Sequence, residues 1–358
     1  MLDSKEEASS YPRGDILLGF CEGCGFIQNV RFDARLVDYS QPTEESQAFS
    51  PRFNEFAAWL ADELVRRFDL EGKSVLEVGC GKGDFLSLLA QRGISRGLGI
   101  DPGFLPDRIE RSDSSIEFRR ETYGQDHTDL TGDLVLTRHL MEHIPNVAEF
   151  FSWLRSSTQR TDGAVLFTEV PDTARVLKEG AFWDVYYEHC SYFTMGSLRR
   201  ALGCSGFDVT WMERGFEEQY LLAAAVPAIS DPDQGPGEST TEIGVLVSKF
   251  ATRAMGAVRR WRDLVGSVTS RGDEVAIWGG GSKAVAFMAA TGVEEARVVD
   301  INPHKQGKWL PGVGVVVEPP TALKDVNPAL VVAMNAIYLD EIAMGLEAMA
   351  LGPRLVAL

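Results

Sequence analysis

The feature that most restricts this chain is the run SVLEVGCGKGDFLSLLA, residues 74–90. A short strand, Ser74 to Val78, leads into Gly79-Cys80-Gly81-Lys82-Gly83, and a helix starts near Asp84. Glycines let a backbone turn this sharply and approach a ligand, because no Cβ stands in the way. In an open α/β sheet such a turn lies beyond the carboxyl end of a strand, where ligands bind. The next apolar run, GLGID, ends at Asp101, an acid suited to accept hydrogen bonds from ribose hydroxyls. A tight strand–helix turn that binds nothing is the alternative reading.

Around this unit the chain alternates. Between 73 and 226 the runs SVLEVG, GLGID, DLVLT, AVLFTEV, FDVTWM and YLLAAAV are separated by helical stretches. That alternation predicts an α/β fold with a mostly parallel sheet covered by helices. Phe53, Phe56, Leu60, Leu64 and Phe68 fall near helical spacing and predict an amphipathic helix over 53–69. Residues 227–241, PAISDPDQGPGESTT, have the composition of a linker. A helix over about 243–267 follows, and a second α/β unit opens at EVAIWGGGSKAVAFMAA and continues through ARVVD, GVGVVVEP and ALVVAMN. The expected organisation is a small module over 1–50, a Rossmann-like domain over 51–226, a linker over 227–242 and a second Rossmann-like α/β domain over 243–358 that embraces the substrate.

The 358 residues carry a formal charge of −17. An acidic field repels phosphate backbones, so nucleic acid is not an expected partner. No apolar run is long enough to span a bilayer, and MLDSKEEASSYPRGD is no signal peptide. The five cysteines do not form a secreted disulfide framework. A cytoplasmic enzyme acting on a small molecule is the expectation.

The loop is not GxGxxG, and Glu77 stands just before it, which disfavours a pyrophosphate. S-adenosylmethionine (SAM) carries an ammonium and a sulfonium, and an acidic loop suits it better. The stretch E77-V-G-C-G-K-G-D84 resembles motif I of the class I SAM-dependent methyltransferases, and Asp101 matches their ribose-binding acid. That resemblance implies cofactor contacts at Glu77, Gly79, Gly81, Gly83 and Asp101. DLVLTRHLMEHIPN, 133–146, resembles the segment after the family's fourth strand, which passes the methionine part of SAM. It brings Arg138 and His139 to the cofactor, with Glu142 and His143 just beyond. His139 and His143 with Glu142 between them are not HExxH, and no metal is expected there.

FWDVYYEHCSYFT, 182–194, crowds six aromatics, two acids and a histidine into thirteen residues. Such a stretch lines a pocket or fills a core. The chain as a whole resembles the deoxysugar C-methyltransferases. The resemblance runs from YPRGDILLGFCEGCGFIQN through YYEHCSYFT to WGGGSKAVAFM, VVDINPHKQGKWLPG (298–312) and MNAIYLDEI (334–342). It implies methylation of a carbon beside a ketone in a nucleotide-linked sugar. The family pattern Y-x-E-H falls on Tyr186, Glu188 and His189, which implies His189 as base with Tyr186 and Glu188 assisting. His143 is a further catalytic candidate, and Tyr187 and Tyr192 are candidates for substrate contact. The chemistry is sensible: a carbon α to a ketone becomes nucleophilic only after losing a proton, and histidine titrates near working pH.

Two departures from the family stand out. Its N-terminal zinc module usually has two cysteine pairs, whereas only Cys21 and Cys24 are present here, so zinc is doubtful. Tyr187 stands where family members often have histidine. In the second domain, Ser282 and Lys283 in WGGGSKAVAF form a candidate anion cradle, and Lys305 and Lys308 are placed to meet a substrate phosphate. Three other functions stay open: O- or N-methylation of another natural product, a noncatalytic binding protein on a decayed fold, and a nicotinamide dehydrogenase using the second glycine loop.

Overall fold

The computed structural model describes residues 1–40, 44, 46–108, 114–228 and 237–358. Half of the expected linker, 229–236, lies outside the described residues.

The central sheet has seven strands: β1 (Ser74–Val78), β2 (Arg96–Ile100), β3 (Ile116–Arg119), β4 (Leu134–Arg138), β5 (Val165–Pro171), β6 (Phe207–Gly215) and β7 (Tyr220–Pro227). Their spatial order is β3-β2-β1-β4-β5-β7-β6. The first five run parallel, whereas β7 is antiparallel to both β5 and β6. The runs FDVTWM and YLLAAAV therefore form a hairpin. Only residues 216–219 join them, too few for the crossover that a parallel pair requires.

Helix α1 (Pro51–Phe68) covers one face of this sheet, and begins two residues before the periodic positions suggest. Ser50 caps it by accepting from Phe53 N–H, and Pro51 occupies the first turn, where its missing N–H costs nothing. Phe56, Leu60 and Leu64 bury against Val75, Leu134, Leu136 and Leu222, together with Phe85 and Leu89 of α2 (Asp84–Ala90). On the other face Leu76, Val78, Val135 and Leu166 pack on Phe150, Phe151 and Leu154 of α3 (Val147–Thr158). The alternation along β1 thus fills two cores and directs its carboxyl end at the glycine loop.

The second α/β sheet is parallel throughout: β8 (Val275–Trp278), β9 (Arg297–Val299), β10 (Val317–Glu318), β11 (Leu330–Ala333) and β12 (Arg354–Ala357). Its order, β10-β9-β8-β11-β12, repeats that of β3 to β5 in the first domain. The long helix α4 (Thr240–Thr269) leads into it, opened by a capping box between Ser239 and Glu242. Of GVGVVVEP, only Val317–Glu318 is strand, because Gly312 and Gly314 turn the chain with φ of 77° and 66°. Helix α5 (Ser282–Thr291) follows β8.

The N-terminal segment forms a hairpin, Leu18–Phe20 with Ile27–Asn29, to which Ser191–Tyr192 adds a third strand. Asn29 N–H also donates to Cys190 carbonyl at 2.8 Å. The hairpin therefore fixes the chain directly after His189. All three units border one cleft of about 1810 Å³. Among the described residues no helix is long and apolar enough to cross a membrane.

Candidate active site

The loop after β1 takes the shape its glycines allow. Gly79, Gly81 and Gly83 have φ of 77°, 55° and 82°, a region that side chains disfavour. A Cβ on Gly79 would also stand 3.0 Å from the Leu140 methyls. Asp101 latches the loop: its Oδ2 accepts from Gly81 N–H at 3.0 Å and its Oδ1 from Gly103 N–H at 2.7 Å. Lys82 turns inward and donates to Gly103 carbonyl, and Asp84 and Asp101 line the cleft beside it. Glu77 is fully buried at the end of β1, and burial pushes its carboxyl up to about 8. An acidic, glycine-walled loop of this kind fits SAM, with Glu77, Gly79, Gly81 and Asp101 to hold it.

Beyond β4 lies a compact ionic cluster that the sequence did not reveal. Arg138 Nε meets Glu169 Oε2 at 2.5 Å, and its guanidinium lies 4.0 Å over the Phe85 ring. His139, at φ 50°, sits between Glu169 (3.2 Å) and Glu142 (3.4 Å). Burial opposes the imidazolium, but the two carboxylates prevail and hold His139 up to about 9. Burial likewise opposes the Glu169 carboxylate, and Arg138 and His139 overcome it, so that it is lowered to about 2. Glu169 is the penultimate residue of the run AVLFTEV; its place near the carboxyl end of a strand was the one available signal. Arg138 and His139 line the cleft, with their charge partly offset by Glu169.

The YYEHC stretch brings the chemistry together. His189 is 8% exposed, its ring 4.1 Å from that of Tyr186 and 4.9 Å edge-on from that of His143. Burial, then the positive potential of His143, His139 and Lys283, pushes His189 well below the usual histidine range, so it stays neutral. Burial pushes the Tyr186 phenol well up, which keeps it a donor. His143 is anchored through Nδ1 to Glu188 carbonyl at 3.0 Å and to Tyr39 hydroxyl at 3.2 Å. Tyr39 comes from the N-terminal segment and carried no sequence signal. Tyr187 lines the cleft, but its hydroxyl accepts from Asp33 N–H at 2.8 Å, and Gly14 lies so close to its ring that no Cβ fits between them. Tyr192 is buried, with its hydroxyl unpartnered.

The second domain closes the other wall. Its loop repeats the first: Asp300 Oδ2 accepts from Gly280 N–H at 2.8 Å and Oδ1 from Asn302 N–H at 2.8 Å. Here, however, Lys305 Nζ also pairs with Asp300 at 3.1 Å. An acid neutralised in this way is a poor ribose acceptor, which disfavours a nicotinamide cofactor at this loop. Lys283 reaches Asp184 at 2.9 Å, and Ser282 hydroxyl reaches Glu188 at 3.5 Å. Lys308 lies outside the cleft and pairs with Asp3. Gly83 is likewise absent from the cleft wall and serves as the N-cap of α2. Asp184 and Glu142 line the cleft too, although sequence reasoning gave them no role.

Beyond the His139–Glu169 pair, seven buried side-chain polar atoms lack a hydrogen-bond partner among the described residues, and five belong to residues of this cleft: Glu77, Arg138, Glu142, Arg175 and Tyr192. Buried polar groups are nearly always paired, so this concentration marks where a polar ligand binds. Cys21 and Cys24 lie in the turn of the N-terminal hairpin, with Gly25 N–H donating to Cys21 carbonyl at 2.8 Å. The one grouping of three potential metal-ligating side chains among the described residues is Glu142, His143 and His189, which does not include them.

Residues 52–210 match the family described as a methyltransferase domain, and residues 239–357 match the C-methyltransferase C-terminal domain. C-methyltransferase NovU of Streptomyces niveus is 30% identical over 287 residues, 73% of this chain and 66% of that protein. The chain thus spans just under two thirds of that relative's length. The ubiquinone biosynthesis O-methyltransferase of Pseudomonas paraeruginosa is 37% identical over 92 residues, which cover 24% of this chain and 39% of that one. The crystal structure of 1,6-didemethyltoxoflavin-N1-methyltransferase from Burkholderia thailandensis is similar at 16% identity, with a TM-score of 0.39. That match covers 49% of this chain and 80% of that one.

Proposed function

We propose that this chain, a relative of the C-methyltransferases in which a methyltransferase domain is joined to a C-methyltransferase C-terminal domain, is a SAM-dependent enzyme of small-molecule biosynthesis. Its acceptor is a carbon beside the ketone of a nucleotide-linked deoxysugar or a related natural-product intermediate. One observation carries this reading: a neutral, buried histidine, His189, borders the same cleft as an acidic glycine loop, flanked by a phenol that stays protonated.

When bound, SAM supplies an electrophilic methyl group on a sulfonium. Glu77, Asp101 and the loop glycines hold it, with Arg138 and His139 bordering its methionine end. His189 takes the proton from the acceptor's α carbon, and the electron pair released moves toward the carbonyl oxygen. Tyr186 donates to that oxygen as charge develops there. Glu188, anchored beside Ser282, and Tyr192, with its free hydroxyl, orient the sugar. The new carbon–carbon bond takes the methyl group, and the sulfur keeps the electrons of the broken bond. Lys283 and Lys305 give the outer wall a basic character suited to a nucleotide phosphate, even as each is paired to an aspartate.

The test is incubation with methyl-labelled SAM and a panel of nucleotide-linked keto-sugars, followed by NMR of the product. The expected product carries the label on a carbon. A label on oxygen or nitrogen would replace this reading with the heteroatom alternative.

A further inference from the structure

We infer that Glu142, His143 and His189 form a binding site for one divalent transition-metal ion of the zinc type, and that an ion there shuts off His189 as a proton acceptor. The second half rests on the reaction proposed above; the binding itself does not.

A nitrogen from each imidazole and a carboxylate oxygen of Glu142 all lie within 4.8 Å of one another. Bonds of 2.0–2.2 Å give a tetrahedral site edges of about 3.4 Å. Side-chain shifts on the order of 1 Å therefore close the three donors around one ion. Glu142 supplies an independent sign. It is 2% exposed, and its Oε2 has no hydrogen-bond partner. A buried carboxylate oxygen in that state lacks the cation or donor that such groups nearly always have.

The surroundings resemble those of metal-binding imidazoles. Glu188 carbonyl and Tyr39 hydroxyl anchor the His143 ring at Nδ1, an outer contact of the kind that fixes ring orientation. The other Glu142 oxygen rests against His139 at 3.4 Å. Two nitrogens and one carboxylate oxygen favour zinc, cobalt or nickel over magnesium or calcium, which prefer all-oxygen cages. Three protein donors leave a further position open to the cleft that all three residues line. The sequence hides the site, because Glu142 and His143 are adjacent and His189 lies far along the chain.

An ion bound here takes the lone pair that His189 needs for the acceptor proton. The expected consequence is inhibition competitive with the acceptor and not with SAM.

The experiment uses the full chain, stripped with chelator and carrying Cys21→Ser and Cys24→Ser to remove the separate thiol pair. Cobalt(II) titration followed by visible absorption, and zinc titration by calorimetry, should each show one saturable site. His143→Ala and Glu142→Gln should each weaken it by tenfold or more, with circular dichroism confirming that both variants fold. No saturable cobalt absorption, or equal affinity in folded variants, would overturn the site. Zinc should then suppress methyl transfer in the Cys21→Ser/Cys24→Ser protein. Unchanged turnover with the site demonstrably filled would overturn the inhibitory role. Absence of methyl transfer in the metal-free protein would instead count against the proposed reaction, with the binding titrations still readable.

Discussion

Lys283, at the start of α5, places its Nζ 2.9 Å from Asp184 Oδ1 and so ties the second α/β domain to the wall of the first. Arg175 shares Asp184 at 2.6 Å, and the two cations overcome burial to keep its carboxyl below the usual range. Lys283→Met should cost about 2 kcal/mol, the scale of a hydrogen bond to a charged group, seen as a lowered Tm. Lys283→Arg should recover most of it, and SAM affinity should stay unchanged. A Lys283 that served only a substrate phosphate would leave Tm alone and raise the acceptor KM.

Asp101 and Asp300 make the same latch, each accepting from a glycine N–H twenty positions earlier. Asp300 is in addition held by Lys305 at 3.1 Å. The two should therefore separate on mutation. Asp101→Ala should weaken SAM binding at least tenfold in calorimetry, through loss of the ribose contact and a loosened loop. Asp300→Ala should lower Tm by an amount equivalent to about 1–3 kcal/mol and leave SAM affinity within a factor of two. Equal effects on SAM binding would show that the cofactor is not confined to the first loop.

The cluster of Arg138, His139 and Glu169 gives stability a defined pH window. His139 is raised from 6.5 to about 9, so its contribution is complete below pH 6.5 and fades as pH climbs through 9. Glu169 is lowered from 4.5 to about 2, so its contribution is complete above pH 4.5 and fades as pH falls through 2. Tm should decline between pH 6.5 and 9 in the wild type. His139→Gln should flatten that limb. An unaltered slope in the variant would assign the decline to other groups.

Much of this architecture was legible because its signals are local. The β1 run, its glycines and Asp101 lie within thirty residues; spacing located α1, and the run WGGGSKAVAF located the second glycine loop. The direction of β6 and β7 was missed because composition does not report strand polarity; the short 216–219 connection did contain that information. The site's inner layer was missed for a different reason. Glu169, Asp184 and Tyr39 act through neighbours remote in sequence, so they acquire meaning only when the fold brings them together. Lys308 shows the converse: a basic residue in a suggestive turn whose partner, Asp3, lies 305 positions away and outside the cleft.

His189 should also set the acid limb of the pH profile. A base works only when unprotonated, and burial with neighbouring positive charge pushes His189 well below its usual range. The acid limb of kcat/KM should consequently fall below pH 6.5. A limb at or above 6.5 would assign the essential base to another group.

The most direct measurement is exchange of the acceptor's α hydrogen in deuterated water, run beside methyl transfer on the wild type and on His189→Asn. Wild type should incorporate deuterium at the carbon that receives the methyl, provided the cofactor is replaced by its demethylated product to stop the reaction there. His189→Asn should fold, bind SAM with near-normal affinity, lose exchange, and lose roughly two to four orders of magnitude in turnover. Near-normal exchange and carbon methylation in the folded variant would contradict the role assigned to His189.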